Sequence, residues 1–267
     1  MKILVIGDVV GSPGRHIMKR GLPLVFKKHA IDYCIANVEN AAGGFGVTKD
    51  ICDEILNMGV DCLTSGNHIW DKKEIIPFID LMPQLLRPLN YPKGQPGRGW
   101  HVGRSRSGVK VATLNLSGRV FMNGALDDPF TLGAAEVAKL RREAAVIIVD
   151  MHGEASSEKC ALGHHLDGQV TAVVGTHTHV PTCDHRLLPG GTAYCTDIGM
   201  TGPYDSVIGV EKAPILQRFL TGMPQRFETA KGDPRLAAVI VEADPATGRA
   251  TGIDRLLLSE NDLARWS

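Results

Sequence analysis

The sequence predicts an α/β protein with a largely parallel sheet and a second, partly antiparallel one. Three observations carry this. Short apolar runs rich in β-branched residues recur along the chain, each bounded by turn formers. Segments of helical pattern lie between several of them, as in βαβ units. The C-terminal stretch "RLAAVIVEADPATGRATGIDRLLL" instead pairs two strand-like runs across "DPATG", a hairpin signal.

Taken in order, "KILVIG" (2–7) reads as the first strand. Asp8 interrupts its apolar run and no cleavage-like site follows, so it is not read as a signal peptide. "SPGRHIMKRGLPLVFKKHA" predicts a helix beginning at Ser12 and Pro13. "DYCIAN" (32–37) is the next strand, and "TKDICDEILNMG" a helix with Thr48 as N-cap and Gly59 as terminator. Further strands are "DCLTSG" (61–66), "VKVATLNL" (109–116), "AVIIVDMH" (145–152) and "TAVVGTH" (171–177). Residues 131–144 and the segment "SSEKCALGHHLDG" complete the helical candidates. The stretch 98–116 and the C-terminal hairpin break the alternation and are assigned to the second sheet. No repeat, low-complexity tract or linker divides the chain, which predicts a single domain over 1–267.

With 43% hydrophobic and 22% charged residues, the composition is that of a globular protein. A formal net charge of zero argues against an extended nucleic-acid surface or a membrane-surface binder. No apolar stretch reaches the roughly 18 residues of a spanning helix. The six cysteines show no C-x-x-C spacing, so neither a zinc knuckle nor a thioredoxin motif is expected. Reduced thiols in the cytoplasm are the expectation.

Ligands of parallel α/β sheets collect beyond the carboxyl ends of the strands. Asp8 follows the first strand, Glu39 and Asn40 the second, and Asn67 and His68 the third. His152 ends the "VIIVDM" run, and His177 and His179 follow "AVVGT". Each is unremarkable alone, since a single Asp or His in such a place is usually a turn or cap residue. Together they form a set of carboxylate, amide and imidazole donors without thiolate, which suits iron, manganese, cobalt or zinc. The set exceeds the needs of one ion and matches a pair about 3.5–4 Å apart, as used for hydrolysis at phosphorus. Glu39 can bridge such a pair. An extended segment points residues i and i+2 to the same side, so His177 and His179 would face one spot and could serve one ion each.

"GDVVG" (7–11), "NVENAAGG" (37–44), "GNHIWDKKEI" (66–75), "DMHGEASSEK" (150–159), "GTHTHVPT" (175–182) and "DIGMTGPYDSVIG" (197–209) resemble the calcineurin-like metallophosphoesterase superfamily. The resemblance is greatest to its bacterial YmdB-like branch of 2′,3′-cyclic-nucleotide phosphodiesterases. It implies a four-layer αββα sandwich with a dinuclear site between the sheets. By motif, Asp8 and His179 would bind the first metal, Glu39 would bridge, and Asn67, His152 and His177 would bind the second. His68 would protonate the leaving group while a bridging hydroxide attacks in line. The usual D-x-H is here Asp8-Val9-Val10 and the usual G-D-x-x-D is "NVEN", so a histidine ligand is missing. The branch implies Asn40 in its place. Two divalent or trivalent ions are implied, iron or manganese first and zinc compatible.

The substrate expected is a small-molecule or RNA-end phosphodiester, with a homo-oligomer compatible. Two other classes compete. Amidohydrolases also use H-x-H, but on their first barrel strand, whereas here it follows residue 170. A regulatory or RNA-associated binding protein with a structural or vestigial metal site is the other. Asp150 reads equally as support for a histidine or as an ordinary strand-end acid, and "GRGWHVGRSRSGVK" (97–110) as a solvated turn.

Overall fold

The computed structural model describes residues 1–266. In chain order the first half runs β1 (Lys2–Ile6), β2 (Asp8–Val9), α1 (Gly11–His29), β3 (Tyr33–Asn37), α2 (Lys49–Asn57) and β4 (Cys62–Thr64). Then come β5 (Trp100–Arg104), β6 (Lys110–Ser117), α3 (Pro129–Leu140), β7 (Val146–His152), α4 (Ser156–His165) and β8 (Ala172–Thr176). The last part holds β9 (Arg186–Leu187), β10 (Ala193–Cys195), β11 (Met200–Pro203), α5 (Lys212–Thr221), β12 (Pro234–Ala243), β13 (Ala250–Ser259) and α6 (Glu260–Ala264). Among the described residues no helix is long and apolar enough to cross a membrane.

The strands form two sheets, one in the order β2-β11-β12-β1-β3-β4 with β13 beside β12, the other β5-β6-β7-β8-β10-β9. Residue alternation in β1 and β7 shows how they stack. Ile3 and Val5 face a core shared with Val146 and Ile148 of the other sheet. Leu4 and Ile6 face the opposite way, onto Ile17, Met18 and Leu22 of α1. On the second sheet Ile147 and Val149 pack outward with Val137 and Leu140 of α3 and Leu162 of α4. Strands buried on both faces therefore alternate between two different cores, with period two. The result is an αββα sandwich, the architecture implied by the motif resemblance.

Helix ends follow their sequence signals in part. The Thr48 hydroxyl accepts from the Ile51 amide. Asp128 accepts from the Phe130 and Thr131 amides, with Pro129 in the first turn, so α3 begins two residues before the expected position 131. By contrast α1 starts at Gly11 without a side-chain cap, ahead of Ser12. The C-terminal hairpin is present, but in the first sheet, where β12 runs antiparallel to β1 with Ile3 opposite Val241. That corrects its assignment to the second sheet. The run 98–116 does fall there, as the antiparallel pair β5–β6. Its Arg106 is tied to Asp61 and to the Gly59 carbonyl.

Thr171, fully buried, joins the sheets at one edge. Its hydroxyl accepts from the Ile147 amide (3.0 Å) and donates to the Gly248 carbonyl in the hairpin turn (2.7 Å). T171V keeps the shape but leaves both backbone groups unpaired, and is expected to cost about 2 kcal/mol in urea denaturation.

Candidate active site

The carboxyl ends of β1, β3 and β4 from one sheet and of β7 and β8 from the other meet at a common edge. Asp8, Glu39, Asn40 and His152 there are at most 2% exposed. Asn67, His68, His177 and His179 are half-buried. Nε2 of His152 lies 3.0 Å from Oε1 of Glu39, 3.0 Å from Oδ1 of Asn67 and 3.0 Å from Nδ1 of His177. The donor atoms of Glu39, His152 and His177 all fall within 4.8 Å of one another, a spacing that can hold a metal ion.

Each imidazole is oriented from behind. His152 Nδ1 meets the Thr176 hydroxyl (2.9 Å), which itself donates to Oδ1 of buried Asp150 (2.7 Å). The hydroxyl proton being committed, Nδ1–H donates to Thr176 and Nε2 faces inward. Nε2–H of His177 points to Glu154 (3.2 Å), which turns Nδ1 inward. Nδ1–H of His179 donates to the Ile208 carbonyl (2.9 Å), leaving Nε2 free. Outer partners of this kind fix the tautomer of metal-ligating histidines. Asp150 thus acts on His152 through Thr176, and Thr64 also donates to it.

The site's charges are strongly coupled. Burial raises the Glu39 carboxyl, but the charge and hydrogen bond of His152, then the charge and amide of His68, outweigh it and hold it ionised. Burial lowers His152, yet Glu39 and then Asp8 and Asp150 pull it upward. In the absence of a cation, one proton on Nε2 serves Glu39 and leaves Asn67 and His177 without a share. Burial pushes Asp8 up to about 6 against the pull of His179 and His152. Burial and the His152 charge hold His177 down at about 3. Two oxygens of these residues, Oδ1 of Asp8 and Oδ1 of Asn40, are buried without a hydrogen-bond partner. Buried lone pairs lacking donors fit a cationic occupant.

The structure gathers all eight expected residues but corrects how the H-x-H pair is held. β8 ends at Thr176, and His177 (φ 103°) and His179 (φ 63°) lie in the left-handed region rather than on an extended strand. Their common direction comes from a tight turn pinned on several sides. The His177 amide donates to Oδ2 of Asp8 (3.0 Å), and the Thr178 amide to Oδ2 of Asp197 (3.1 Å). Lys159, 1% exposed, bonds both the Thr176 carbonyl (2.7 Å) and Asp197 (2.7 Å).

Sequence reasoning gave no role to Lys159, Asp197, Thr176, Glu154 or Asp71. Asp71 accepts from Nδ1 of His68 (2.8 Å). Asp71 and Glu154 could have been found as acids two or three residues after a site histidine. The Lys159–Asp197 pair spans 38 residues and leaves no local signal. A cavity of about 390 Å³ opens beside the cluster, bordered by Glu39, His68, His177 and His179 on one side and by Phe45, Ile208 and Phe219 elsewhere. The loop 201–209 borders it through Val207, Ile208 and Gly209.

Two stacked sheets between helical layers, with polar strand ends meeting at one edge, place the chain in the calcineurin-like class of phosphatase folds. The solved structure of a phosphatase from Mycoplasma pneumoniae superposes with a TM-score of 0.91 at 34% identity, covering 100% of this chain and 95% of that one. Within the class, the chain belongs to the YmdB-like protein family, whose model matches residues 4–256. A Bacillus subtilis 2′,3′-cyclic-nucleotide 2′-phosphodiesterase is 46% identical over 263 residues, 98% of this chain and 99% of that protein. The solved structure of a hypothetical protein from Thermus thermophilus has a TM-score of 0.91 at 42% identity, covering 97% of this chain and 100% of its own.

Gly66 lies so close to the His152 ring that a Cβ there would fall 2.1 Å from Cδ2. G66A should displace the ring and destabilise the metal-free protein by about 1–3 kcal/mol in urea denaturation. K159M leaves Asp197 buried without its counter-charge and should cost about 3–5 kcal/mol by the same measurement.

Proposed function

We propose that this chain is a phosphoric diester hydrolase that works with two metal ions and takes 2′,3′-cyclic nucleotides. One observation carries the reading. His152, His177 and His179 spend their outer N–H groups on oxygens beside two buried oxygens, Oδ1 of Asp8 and Oδ1 of Asn40, that lack hydrogen-bond partners, an arrangement that cations would complete. The Bacillus subtilis relative's activity supports the substrate class.

Asp8, Asn40 and His179 would hold one ion and Asn67, His152 and His177 the other, with Glu39 shared. Oxygen and imidazole donors without thiolate suit iron or manganese, with zinc compatible. Such ions supply positive charge for the phosphoryl oxygens and make bound water acidic. The remaining work falls to His68. Its backbone amide is fixed on Oε2 of Glu39 (3.0 Å) and its ring on Asp71, which holds the imidazole in the cavity lining. There it donates a proton to the departing ribose oxygen, as a positioned histidine does in general acid catalysis. Six free cysteines agree with a reducing cytoplasm.

Elemental analysis of protein refilled with manganese should give two ions per protomer. Chelation should abolish turnover of bis-p-nitrophenyl phosphate while circular dichroism is retained. H68A should keep both ions and lose about 10²- to 10⁴-fold in kcat on 2′,3′-cyclic AMP. Full turnover without metal would refute the reading, and an undiminished H68A rate would remove the role of His68.

A further inference from the structure

The geometry points to a nucleobase subsite on the apolar wall of the cavity, formed by Phe45, Ile208, Phe219 and Phe227; it rests on the phosphodiesterase reading above. All four line the same cavity as Glu39, His68, His177 and His179. Its volume of about 390 Å³ falls in the range of small-ligand sites, which are mostly apolar with a few placed polar groups. Three of these side chains are left open to solvent rather than packed away, and Phe227 is half-buried with the Arg218 guanidinium over its ring. Phe219 is 81% exposed, Ile208 53% and Phe45 39%. An apolar wall joined to a polar, anion-seeking cluster fits an amphiphilic ligand with phosphate at one end and a flat ring at the other.

The position of His68 sets the distance between the two ends. In a 2′,3′-cyclic nucleotide the 2′-oxygen sits on the carbon next to the one bearing the base. A base must therefore lie just beyond the group that protonates that oxygen. Phe45 occupies that place, with its ring edge-on to His68 and the centroids 5.0 Å apart. It is presented by Gly43, Gly44 and Gly46, all with positive φ. Gly44 lies against Thr229, where a Cβ would fall 3.0 Å from the hydroxyl, so the Phe45 loop adjoins the segment carrying Phe227. Phe219 reaches the cavity from α5.

A wall of phenyl and aliphatic groups reads the face of a base and not its edge. Stacking of this kind tolerates any base and favours the larger ring. The subsite should accept all four bases, purines ahead of pyrimidines, and should be expressed in KM.

The test compares manganese-loaded enzyme on 2′,3′-cyclic AMP, 2′,3′-cyclic UMP and glycerol 1,2-cyclic phosphate, a five-membered cyclic diester with no base. Wild type should prefer the adenosine substrate over the glycerol one at least tenfold in kcat/KM, mainly through KM, with the uridine substrate between. F45A and F219A should each cut that preference at least fivefold, within the range of about 5- to 150-fold for losing one base stack. F45W should restore it. Equal turnover of the baseless diester by wild type, or a preference that survives both alanine substitutions, would overturn the subsite and leave the phosphodiesterase standing. No turnover of any of the three would overturn both.

Discussion

The site depends on a shortage of protons among converging donors. Around Nε2 of His152 stand a carboxylate oxygen, an amide oxygen and a second imidazole nitrogen, each 3.0 Å away. One N–H can satisfy one of them. Left alone, the others would repel at close range in a buried place, where uncompensated lone pairs and charges are costly. The fold tolerates this because two independent sheets press the strand ends together. β1, β3 and β4 deliver one half of the cluster, and β7 and β8 the other. The shared core of Ile3, Val5, Val146, Ile148 and Val174 allows no sliding apart. Apolar packing between the sheets supplies the energy that holds these polar groups at close range, at a spacing that can hold a metal ion.

The backbone carries part of this cost at the H-x-H turn. Two non-glycine residues in the left-handed region cost on the order of 1–3 kcal/mol each. His177 and His179 persist there because neighbouring amides and carbonyls have fixed partners. Asp8, just past the end of β1, accepts from the His177 amide. Asp197 receives Thr178 and Gly199, and Lys159 neutralises it. The buried ion pair is thus a scaffold for turn geometry, and Asp8 ties the strand end on one sheet to the turn on the other.

Much of the site could be read because its residues follow strand ends, and strand ends are local features. "KILVIG", "DYCIAN" and "AVIIVDMH" carry enough β-branched alternation to place Asp8, Glu39 and His152 within a residue or two. The orientation of His177 and His179 could not be read, because a positive φ at a non-glycine residue is imposed by distant partners. Which sheet takes the C-terminal hairpin was equally hidden. Its pattern says that two strands pair, not that β12 lies beside β1. The four-layer stacking came from motif resemblance, since buried strands of either sheet look alike in sequence. α5 was not anticipated; "KAPILQRFLT" has exposed apolar residues where an amphipathic reading wants polar ones.

That anomaly on α5 shows how the molecule divides its labour. Residues that bear charge and hold geometry sit on strand ends, locked by two cores and by partners behind each ring. The residues facing the rest of the cavity sit on a glycine loop, a surface helix and the connection that follows it. Phe219 and Leu220 are exposed and contribute little to folding, so exchanging them costs little stability. Exchanging Asp8 or His152 would strand buried partners and unsettle the sheet edge. Chemistry is therefore bound tightly to the fold, whereas the shape of the far wall is free to vary. A site built in this way can keep one reaction at phosphorus while changing the group carried on the other side of the ester.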